Sequence, residues 1–196
     1  LAASLLCLAG LARAELNATI AVEPTSRKET FLVMTASIEG ALTKATGEAA
    51  KVSHNEDLTD VMRATRTGEV DVYIAPAQVA ASALARGFEL IGSTLPTEKY
   101  VLVARPERAT VASLDGARLY LPQQDSIYSY VARGMLNSAG LSFQNLAVEF
   151  ARWPTAGLVA ISIGAADVTV VRQAEWDEWL KLNPKSLHVV ATSIPV

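Results

Sequence analysis

A five-residue pattern, Gly-x-x-Asp-Val, occurs twice in the sequence and constrains the fold more than any other feature. The first copy runs from Gly68 to Val72 and the second from Gly164 to Val168, and each leads into a short apolar run. Glycine often ends helices because it adopts left-handed backbone conformations, and β-branched residues favour strands. Each copy therefore predicts a helix end followed by a strand, which favours two similar lobes. The pattern is also an ordinary junction between a helix and a strand, so it identifies no ligand.

Strands and helices are predicted to alternate along most of the chain. Short apolar runs bounded by turn residues predict strands at 18–22, 51–53, 70–75, 88–93, 100–104, 118–121, 147–150, 168–171 and 187–191. Amphipathic segments predict helices that end at Gly47 and Gly68, and further helices at 78–86, 128–138, 155–163 and 174–182. The predicted fold class is therefore α/β, with two lobes that each contain a mostly parallel sheet flanked by helices.

Composition and charge exclude several classes of protein. Of the 196 residues, 51% are hydrophobic and 19% are charged, which is typical of a globular protein and not of a disordered one. The formal net charge of −3 gives no indication of nucleic acid or of an anionic membrane surface as a partner. We expect a monomer that binds no nucleic acid.

The first fourteen residues, LAASLLCLAGLARA, are interpreted as the remainder of a secretory signal peptide. They form an apolar run that ends in Ala12-Arg13-Ala14, which matches the A-x-A pattern of a signal-peptidase site. A membrane anchor is the alternative, but the run is shorter than the roughly 20 apolar residues that span a bilayer. A lipid anchor at Cys7 is a further alternative, although the bulky Leu6 precedes it. Because Cys7 is the only cysteine, the exported chain would form no disulfide, which suits a bacterial periplasm.

The predicted domain organisation follows from this order of elements. Residues 1–14 are the signal remnant, residues 15–104 form lobe 1, residues 105–190 form lobe 2, and residues 191–196 begin a return to lobe 1. Lobe 1 is expected to be incomplete, with its C-terminal part missing from the sequence.

A ligand site is predicted in the cleft between the lobes. Ligands of parallel sheets bind beyond the carboxyl ends of the strands, where helix N-termini present free N–H groups to anions. The loops in that position are 23–27 and 75–78 in lobe 1, and 123–130 and 152–156 in lobe 2. The predicted ligand-binding residues are Thr25, Ser26, Arg27, Pro76, Gln78, Ser126, Tyr128, Ser129, Arg152 and Trp153. The structural alternative is that Ser126 only caps a helix, that the tyrosines pack in the core, and that Arg27 starts a solvated helix.

The sequence contains no pattern that predicts catalysis, a metal site or a cofactor. His54 and His188 are isolated from each other and from any cysteine, so a metal site is not expected. The nucleophile-elbow, P-loop and zinc-protease motifs do not occur. We therefore expect a binding protein and not an enzyme.

Two segments of the second half resemble a known family. The segments SLDGARLYLPQQDSIYSYVARGMLNSAGL and WPTAGLVAISIGAADVTVV resemble the second lobe of phosphonate- and phosphate-type substrate-binding proteins of ABC importers, which have the type II periplasmic-binding fold. The resemblance extends from about Ile20 to the end of the chain. Two places depart from the family pattern: Ser126-Ile127-Tyr128-Ser129 replaces a Ser-Thr-Ser-Gly helix start, and Arg152-Trp153-Pro154 replaces Gly-Ser-His.

The resemblance implies a periplasmic solute-binding protein that closes two lobes on a small polar or anionic ligand and presents it to a membrane ABC permease. The ligand implied is an oxyanion of the phosphonate, phosphate or phosphite class. One alternative is the extracytoplasmic ligand-sensing domain of a signalling protein with the same fold. Another is an enzyme on this fold, such as a pyrimidine-precursor synthase, which would need a reactive His or Cys in the cleft.

Overall fold

A computed structural model describes residues 15–23, 28–93, 97–151, 153–184 and 187–196. The strands are β1 (Leu16–Ala21), β2 (Ala50–Asn55), β3 (Val72–Ile74), β4 (Tyr100–Ala104), β5 (Arg118–Leu121), β6 (Ala147–Phe150), β7 (Val168–Arg172) and β8 (His188–Thr192). The helices are α1 (Lys28–Thr46), α2 (Leu58–Ala64), α3 (Ala77–Leu84), α4 (Ile127–Ser138), α5 (Pro154–Ser162) and α6 (Gln173–Leu182). Short 3₁₀ turns at Val111–Leu114 and Phe143–Asn145 complete the described elements. The predicted signal segment, residues 1–14, lies outside the described residues.

The described strands form two sheets, which confirms the predicted two-lobed α/β fold. Lobe 1 holds a parallel sheet in the order β2-β1-β3, with α1, α2 and α3 beside it. Lobe 2 holds a five-stranded sheet in the order β6-β5-β7-β4-β8, in which β4 alone runs antiparallel to both of its neighbours. In each sheet the first strand of the parallel part, β1 or β5, lies between the next two strands. The two strands that follow β1 lie on opposite sides of it, and so do the two parallel strands that follow β5. Each sheet therefore has a topological switch point.

The strand β4 corrects the predicted lobe boundary. The prediction ended lobe 1 at residue 104, but Tyr100–Ala104 pairs with β7 and β8 in lobe 2, and all five residues are buried. The strand β8 also continues past the predicted end of lobe 2, since Thr192 pairs with Val101. An apolar five-residue run can form a central strand in either sheet. The sequence of β4 therefore did not indicate which sheet it joins.

The predicted strand at 88–93 was wrong. These residues follow α3 through Gly87, whose φ of 95° ends the helix, and they pair with no described strand. Leu90 and Ile91 are 65% and 86% exposed. An apolar run forms a strand only where a neighbouring strand can accept its backbone hydrogen bonds, and none of the described strands lies there.

The core of lobe 2 lies on both faces of its sheet. On one face, α4 packs against β4, β5 and β7 through Leu119, Tyr128 and Leu136. On the other face, α5 and α6 pack through Leu158, Ile161 and Trp176. Lobe 1 has two smaller buried clusters, centred on Leu58 and Ile20. Within the described ranges, none of the helices is long and apolar enough to span a membrane.

The two aspartates of the repeated pattern make the same contact in the two lobes. Asp71 accepts a hydrogen bond from the backbone N–H of Asn17 at 2.8 Å, and its own N–H donates to the Asn17 carbonyl at 2.7 Å. Asp167 accepts from the backbone N–H of Arg118 at 2.9 Å and donates back to the Arg118 carbonyl at 2.9 Å. Each aspartate thus fixes β3 or β7 beside the first residues of the neighbouring parallel strand. The repeat is therefore a structural device that sets the strand register.

Asp167 is the more deeply placed of the two aspartates. It is 5% exposed, and the guanidinium groups of Arg105 and Arg118 bind its carboxylate. We expect Asp167→Ala to lower the free energy of unfolding by about 2–3 kcal/mol, because it leaves the Arg118 N–H and two cations without their acceptor. The exposed Asp71→Ala should cost less, about 1 kcal/mol. Urea unfolding of both variants measures the difference, and equal losses would contradict this account.

Replacing a helical glycine by alanine should destabilise the protein at Gly157 and stabilise it at Gly134. A methyl group at Gly157 would lie 2.8 Å from the Cβ atom of Thr169, and Thr169 is held by its hydroxyl on the Tyr120 carbonyl at 2.6 Å. Gly157→Ala should therefore cost about 1–3 kcal/mol by overpacking α5 against β7. A methyl group at Gly134 in α4 meets no atom within 4 Å. Gly134→Ala should stabilise the protein by about 0.5–1 kcal/mol, as measured by the thermal unfolding midpoint.

Candidate functional site

The carboxyl ends of the strands at both switch points lie at the junction of the two lobes. Glu23 follows β1, and Gln78 is the second residue of α3, which follows β3, so both come from the switch point of lobe 1. The segment 123–127 follows β5 and Arg172 ends β7, so both come from the switch point of lobe 2. Glu23 accepts a hydrogen bond from the backbone N–H of Ile127, and Gln78 donates one to the backbone carbonyl of Asp125, so both side chains contact the segment 123–127 across the lobe junction. These contacts place the candidate site where ligands of open α/β sheets bind.

A carboxylate of lobe 1 caps the first helix of lobe 2. Oε1 of Glu23 accepts a hydrogen bond from the backbone N–H of Ile127 at 2.7 Å, at the first residue of α4. The same oxygen accepts from Nε2 of Gln78 at 3.1 Å. A negative charge at a helix N-terminus is stabilised by the helix dipole and by the free N–H groups. Glu23 therefore occupies the place at α4 where the sequence predicted an oxyanion.

Gln78 completes the bridge between the lobes. It is 6% exposed, and its Nε2 donates both to Glu23 and to the backbone carbonyl of Asp125, the latter at 3.0 Å. A second bridge joins the Thr59 hydroxyl at the start of α2 to a carboxylate oxygen of Asp125 at 2.9 Å. The segment 123–127 is therefore held from lobe 1 by three different side chains, those of Glu23, Gln78 and Thr59.

Two acceptor atoms at this junction are buried without a donor. Among the described residues, no N–H or O–H reaches Oε2 of Glu23 or Oε1 of Gln78. A buried polar atom that makes no hydrogen bond costs about 1–3 kcal/mol. Buried polar atoms without a partner are uncommon in proteins, so each calls for an explanation.

Burial dominates the electrostatics of the junction. Burial raises the pKa of Glu23 above its ordinary value of 4.5, although the Ile127 N–H, the Gln78 amide and the charge of Arg172 act in the opposite direction. The pKa of the Tyr100 phenol is also raised, first by burial and then by the charges of Glu98 and Glu23. Ionisation of either group is therefore harder than in water.

A cavity of about 610 Å³ lies beside these contacts. Its walls come from lobe 1 after β2 and from lobe 2 after β5 and β6, namely Glu56, Asp57, Thr59, Pro122, Gln123, Gln124, Phe150 and Ala151. The segment 123–127 borders both the cavity and the junction of Glu23 with Gln78. The volume is within the range of small-molecule sites. Within the described part of the chain, no group of three or more His, Cys, Asp or Glu side chains could hold a metal ion.

Two of the predicted site residues, Ser126 and Ser129, lie at the junction and hydrogen-bond to the backbone of the segment 123–127. Ser126 and Ser129 are fully buried, and both hydroxyls donate to the carbonyl of Gln123, from Ser126 at 2.8 Å. Ser126 also accepts from the Ser129 N–H at 3.3 Å, so it is the N-cap of α4, as the structural alternative had it. Their hydroxyls therefore shape the segment 123–127 from within.

Tyr128 lies in the core of lobe 2. Its ring packs edge-on against Tyr100 with 5.3 Å between the centroids, and its hydroxyl donates to Glu175 at 3.2 Å. Pro76 is half-buried directly before α3, and Trp153, 48% exposed, directly precedes α5. The predicted residues Thr25, Ser26, Arg27 and Arg152 lie outside the described residues.

Sequence reasoning missed Glu23, Asp125 and Arg172 as site residues. Glu23 lay within the candidate loop 23–27, but an acidic side chain did not fit the expected oxyanion. Asp125 lay within the candidate loop 123–130 but was not among the predicted ligand-binding residues. Arg172 is the last residue of the apolar strand β7. Only the strand order, which places the carboxyl end of β7 at the switch point beside β5, could have identified it as a site residue.

Comparison with protein families gives one match, to "ABC transporter, phosphonate, periplasmic substrate-binding protein", over residues 20–196. The search of curated proteins found no match.

Solved structures show the same fold at low sequence identity. PhnD1 of Prochlorococcus marinus in complex with methylphosphonate has a TM-score of 0.63 and 16% identity, with 92% of this chain and 73% of that one covered. A Xanthomonas citri protein bound to ATP has a TM-score of 0.68 and 14% identity, with 93% and 74% covered. The periplasmic aliphatic sulphonate binding protein SsuA of Escherichia coli has a TM-score of 0.54 and 17% identity, with 91% and 60% covered. The chain thus spans between 60% and 74% of the lengths of these proteins.

The raised pKa of Glu23 predicts a pH dependence of stability. The folded protein binds a proton at this carboxyl more readily than the unfolded chain, so the free energy of unfolding should fall as the pH rises from 4.5 through the raised pKa. Glu23→Gln removes this contribution, so the variant should gain stability relative to the natural protein as the pH rises over that range. Urea unfolding at a series of pH values measures both curves. Parallel curves over the whole range would show that the Glu23 pKa is not raised.

Proposed function

The chain belongs to the family of periplasmic substrate-binding proteins of phosphonate ABC transporters, and we propose that it binds a small polar ligand of the phosphonate, phosphate or phosphite class between its two lobes. The observation that carries this proposal is the convergence of Glu23, Gln78 and the start of α4 at one junction. Side chains of both lobes meet there beside a cavity of small-molecule size. The methylphosphonate bound by the Prochlorococcus relative supports the ligand class.

The proposed mechanism is closure of the lobes around the ligand. Only a ligand that contacts both lobes stabilises the closed arrangement more than the open one. Gln78 from lobe 1 and the segment 123–127 from lobe 2 are placed to make such contacts, and Ser126 and Ser129 hold that segment in shape. Thr25, Ser26 and Arg27 come shortly after Glu23 in the sequence and are proposed to contact the ligand from lobe 1. Arg152 and Trp153, which follow β6, are proposed to do so from lobe 2.

The family assignment also sets the proposed place of the protein in transport. The family is the substrate-binding component of a transporter and acts in the periplasm. We propose that this chain is exported by the segment 1–14, works as a monomer, and delivers its ligand to a membrane ABC permease. The binding step needs no chemical change of the ligand, so no catalytic group is proposed.

Thermal unfolding against a ligand panel tests the function. The panel contains phosphate, phosphite, methylphosphonate, sulfate and several amino acids. A ligand present at about one hundred times its dissociation constant should add about 2.7 kcal/mol to the free energy of unfolding, which raises the unfolding midpoint. No shift with any phosphorus oxyanion would contradict the proposed ligand class.

The site itself is tested by a matched pair of glutamine variants. Gln78→Ala should weaken the binding of whichever panel compound gives the shift by about tenfold, because it removes a bridge between the lobes. Gln144→Ala changes an exposed glutamine of lobe 2 and should leave the affinity unchanged. Calorimetric titration measures both. Equal affinities of the two variants would place the ligand elsewhere.

A further inference from the structure

Two guanidinium groups converge on one buried carboxylate at the end of lobe 2 that lies opposite the cleft. Arg118 is the first residue of β5, Asp167 directly precedes β7, and Arg105 directly follows the antiparallel strand β4. All three therefore lie at the amino ends of the parallel strands, whereas the candidate ligand site lies at the carboxyl ends. This group of side chains is separate from the site described above.

The carboxylate of Asp167 is fully used by its donors. Its Oδ1 accepts from Nη2 of Arg105 and from Nη2 of Arg118, the latter at 3.1 Å. Its Oδ2 accepts from Nε of Arg118 at 3.1 Å and from the backbone N–H of Arg118 at 2.9 Å. Two positive charges thus share one negative charge, which leaves the guanidinium pair with a formal excess charge of +1.

Among the described residues, no further carboxylate contacts this pair. Asp115 and Glu107 lie in the neighbouring loops and are exposed, and Asp115 accepts from the Asn145 amide at 2.9 Å. Arg108 adds a cation in the same loop as Glu107, and its Nη1 binds a neutral acceptor, the Ser113 carbonyl. Charges exposed to water are screened by salt. The excess charge of the guanidinium pair is therefore not neutralised by direct contact.

The Nη1 groups of Arg105 and Arg118 are the donors that remain for a ligand. The printed contacts of both side chains use Nη2 and, in Arg118, Nε, and neither Nη1 atom is buried. The two side chains are 34% and 41% exposed. Because Asp167 holds both guanidinium groups in place, their free N–H groups are fixed donors of the kind that binds carboxylate and phosphate oxygens.

An exposed apolar side chain adjoins these donors. The Gly164 carbonyl accepts from Nη2 of Arg118 at 2.8 Å, and a Cβ atom at Gly164 would lie 3.9 Å from Nη1 of Arg105. Ile163, which directly precedes Gly164, is 75% exposed, and Val159, one turn earlier in α5, is 49% exposed. Covering such side chains removes apolar area from water, so they favour a ligand with an apolar part.

We propose that Arg105, Arg118 and Ile163 form a second binding site, which takes a small organic anion with one negative charge and an apolar group, such as a branched carboxylate. The excess charge favours a single negative charge, the two Nη1 groups donate to its oxygens, and Ile163 contacts the apolar group. A few exposed side chains cover much less than the roughly 800 Å² per partner of a stable protein interface, which favours a small molecule over a protein segment. The site is remote from the cleft and independent of the proposed cleft ligand.

NMR titration of the natural protein tests the site at the level of single residues. The probe is 4-methylpentanoate, acetate is the carboxylate that lacks the branched chain, and 4-methylpentanamide is the uncharged analogue. We expect 4-methylpentanoate to shift the backbone amide signals of Gly164 and Arg118 to saturation, and to bind about fivefold more tightly than acetate. The amide should shift neither signal. Sodium chloride at the same ionic strength is the control for screening.

Three variants connect the signal shifts to the proposed residues. Arg105→Gln removes one cation and its free donors, and should weaken 4-methylpentanoate binding at least about fivefold. Arg105→Lys keeps a charge for Asp167 but lacks the second nitrogen, so it should also weaken binding and remains informative if Arg105→Gln does not fold. Ile163→Ser leaves the contacts of Asp167 intact and should lower the affinity for 4-methylpentanoate to that for acetate. Arg86→Gln, which changes an exposed arginine of lobe 1, is the matched control and should bind like the natural protein.

Three results would overturn this second site, and none of them bears on the cleft. The first is the absence of saturable shifts at Gly164 and Arg118, or shifts that persist unchanged in both Arg105 variants. The second is equal binding of acetate and 4-methylpentanoate to the natural protein, because Ile163 would then contribute nothing. The third is tighter binding of the dipeptide N-acetyl-glutamyl-leucinamide than of 4-methylpentanoate, which would identify an acidic protein segment as the occupant.

Discussion

The structure depends on the aspartates that fix the position of β3 beside β1 and of β7 beside β5. In both lobes an aspartate at the start of β3 or β7 exchanges two hydrogen bonds with the backbone of β1 or β5. A shift of one residue would turn every side chain of the strand to the other face, so this exchange determines which residues are buried. It also fixes how far the carboxyl ends of β3 and β7 reach relative to those of β1 and β5. The positions of Glu23, Gln78, the segment 123–127 and Arg172 follow from those four strand ends.

The carboxylate of Glu23 at the lobe junction has fewer compensating partners than the carboxylate of Asp167 in lobe 2. In lobe 2, the buried Asp167 has two guanidinium groups and a backbone N–H as partners, so its charge is compensated. Glu23 is half-buried, its hydrogen-bond donors are neutral groups, and its buried Oε2 has no donor among the described residues. A protein that needed only a stable interface would lose nothing by an apolar contact there. Two oxygen atoms at the lobe junction are therefore left without a donor among the described residues.

The sequence predicted local structure better than it predicted assembly. The bounds of β5 and β6 and the N-cap Ser126 follow from patterns of a few neighbouring residues, and the structure confirms them. The placement of β4 and the absence of a strand at 88–93 depend on which distant strands are available as partners, and apolar runs carry no such information. The candidate site shows the same limit. The pattern located the loops at the strand ends, but the contact of Glu23 with Ile127 joins residues far apart in the chain.

The start of α4 departs from the family pattern, and the carboxylate of Glu23 caps this altered helix start. The resemblance implied a Ser-Thr-Ser-Gly start that offers small hydroxyl donors to an oxyanion, whereas here Ile127 and Tyr128 follow Ser126, and Tyr128 is turned into the core. The hydroxyls of Ser126 and Ser129 are used on Gln123, so the Ile127 N–H is the donor that α4 presents to lobe 1. That donor is matched by Glu23, which brings its own negative charge. The start of α4 therefore has fewer hydroxyl donors than the implied Ser-Thr-Ser-Gly start, and its first backbone N–H is bound by a side chain of lobe 1.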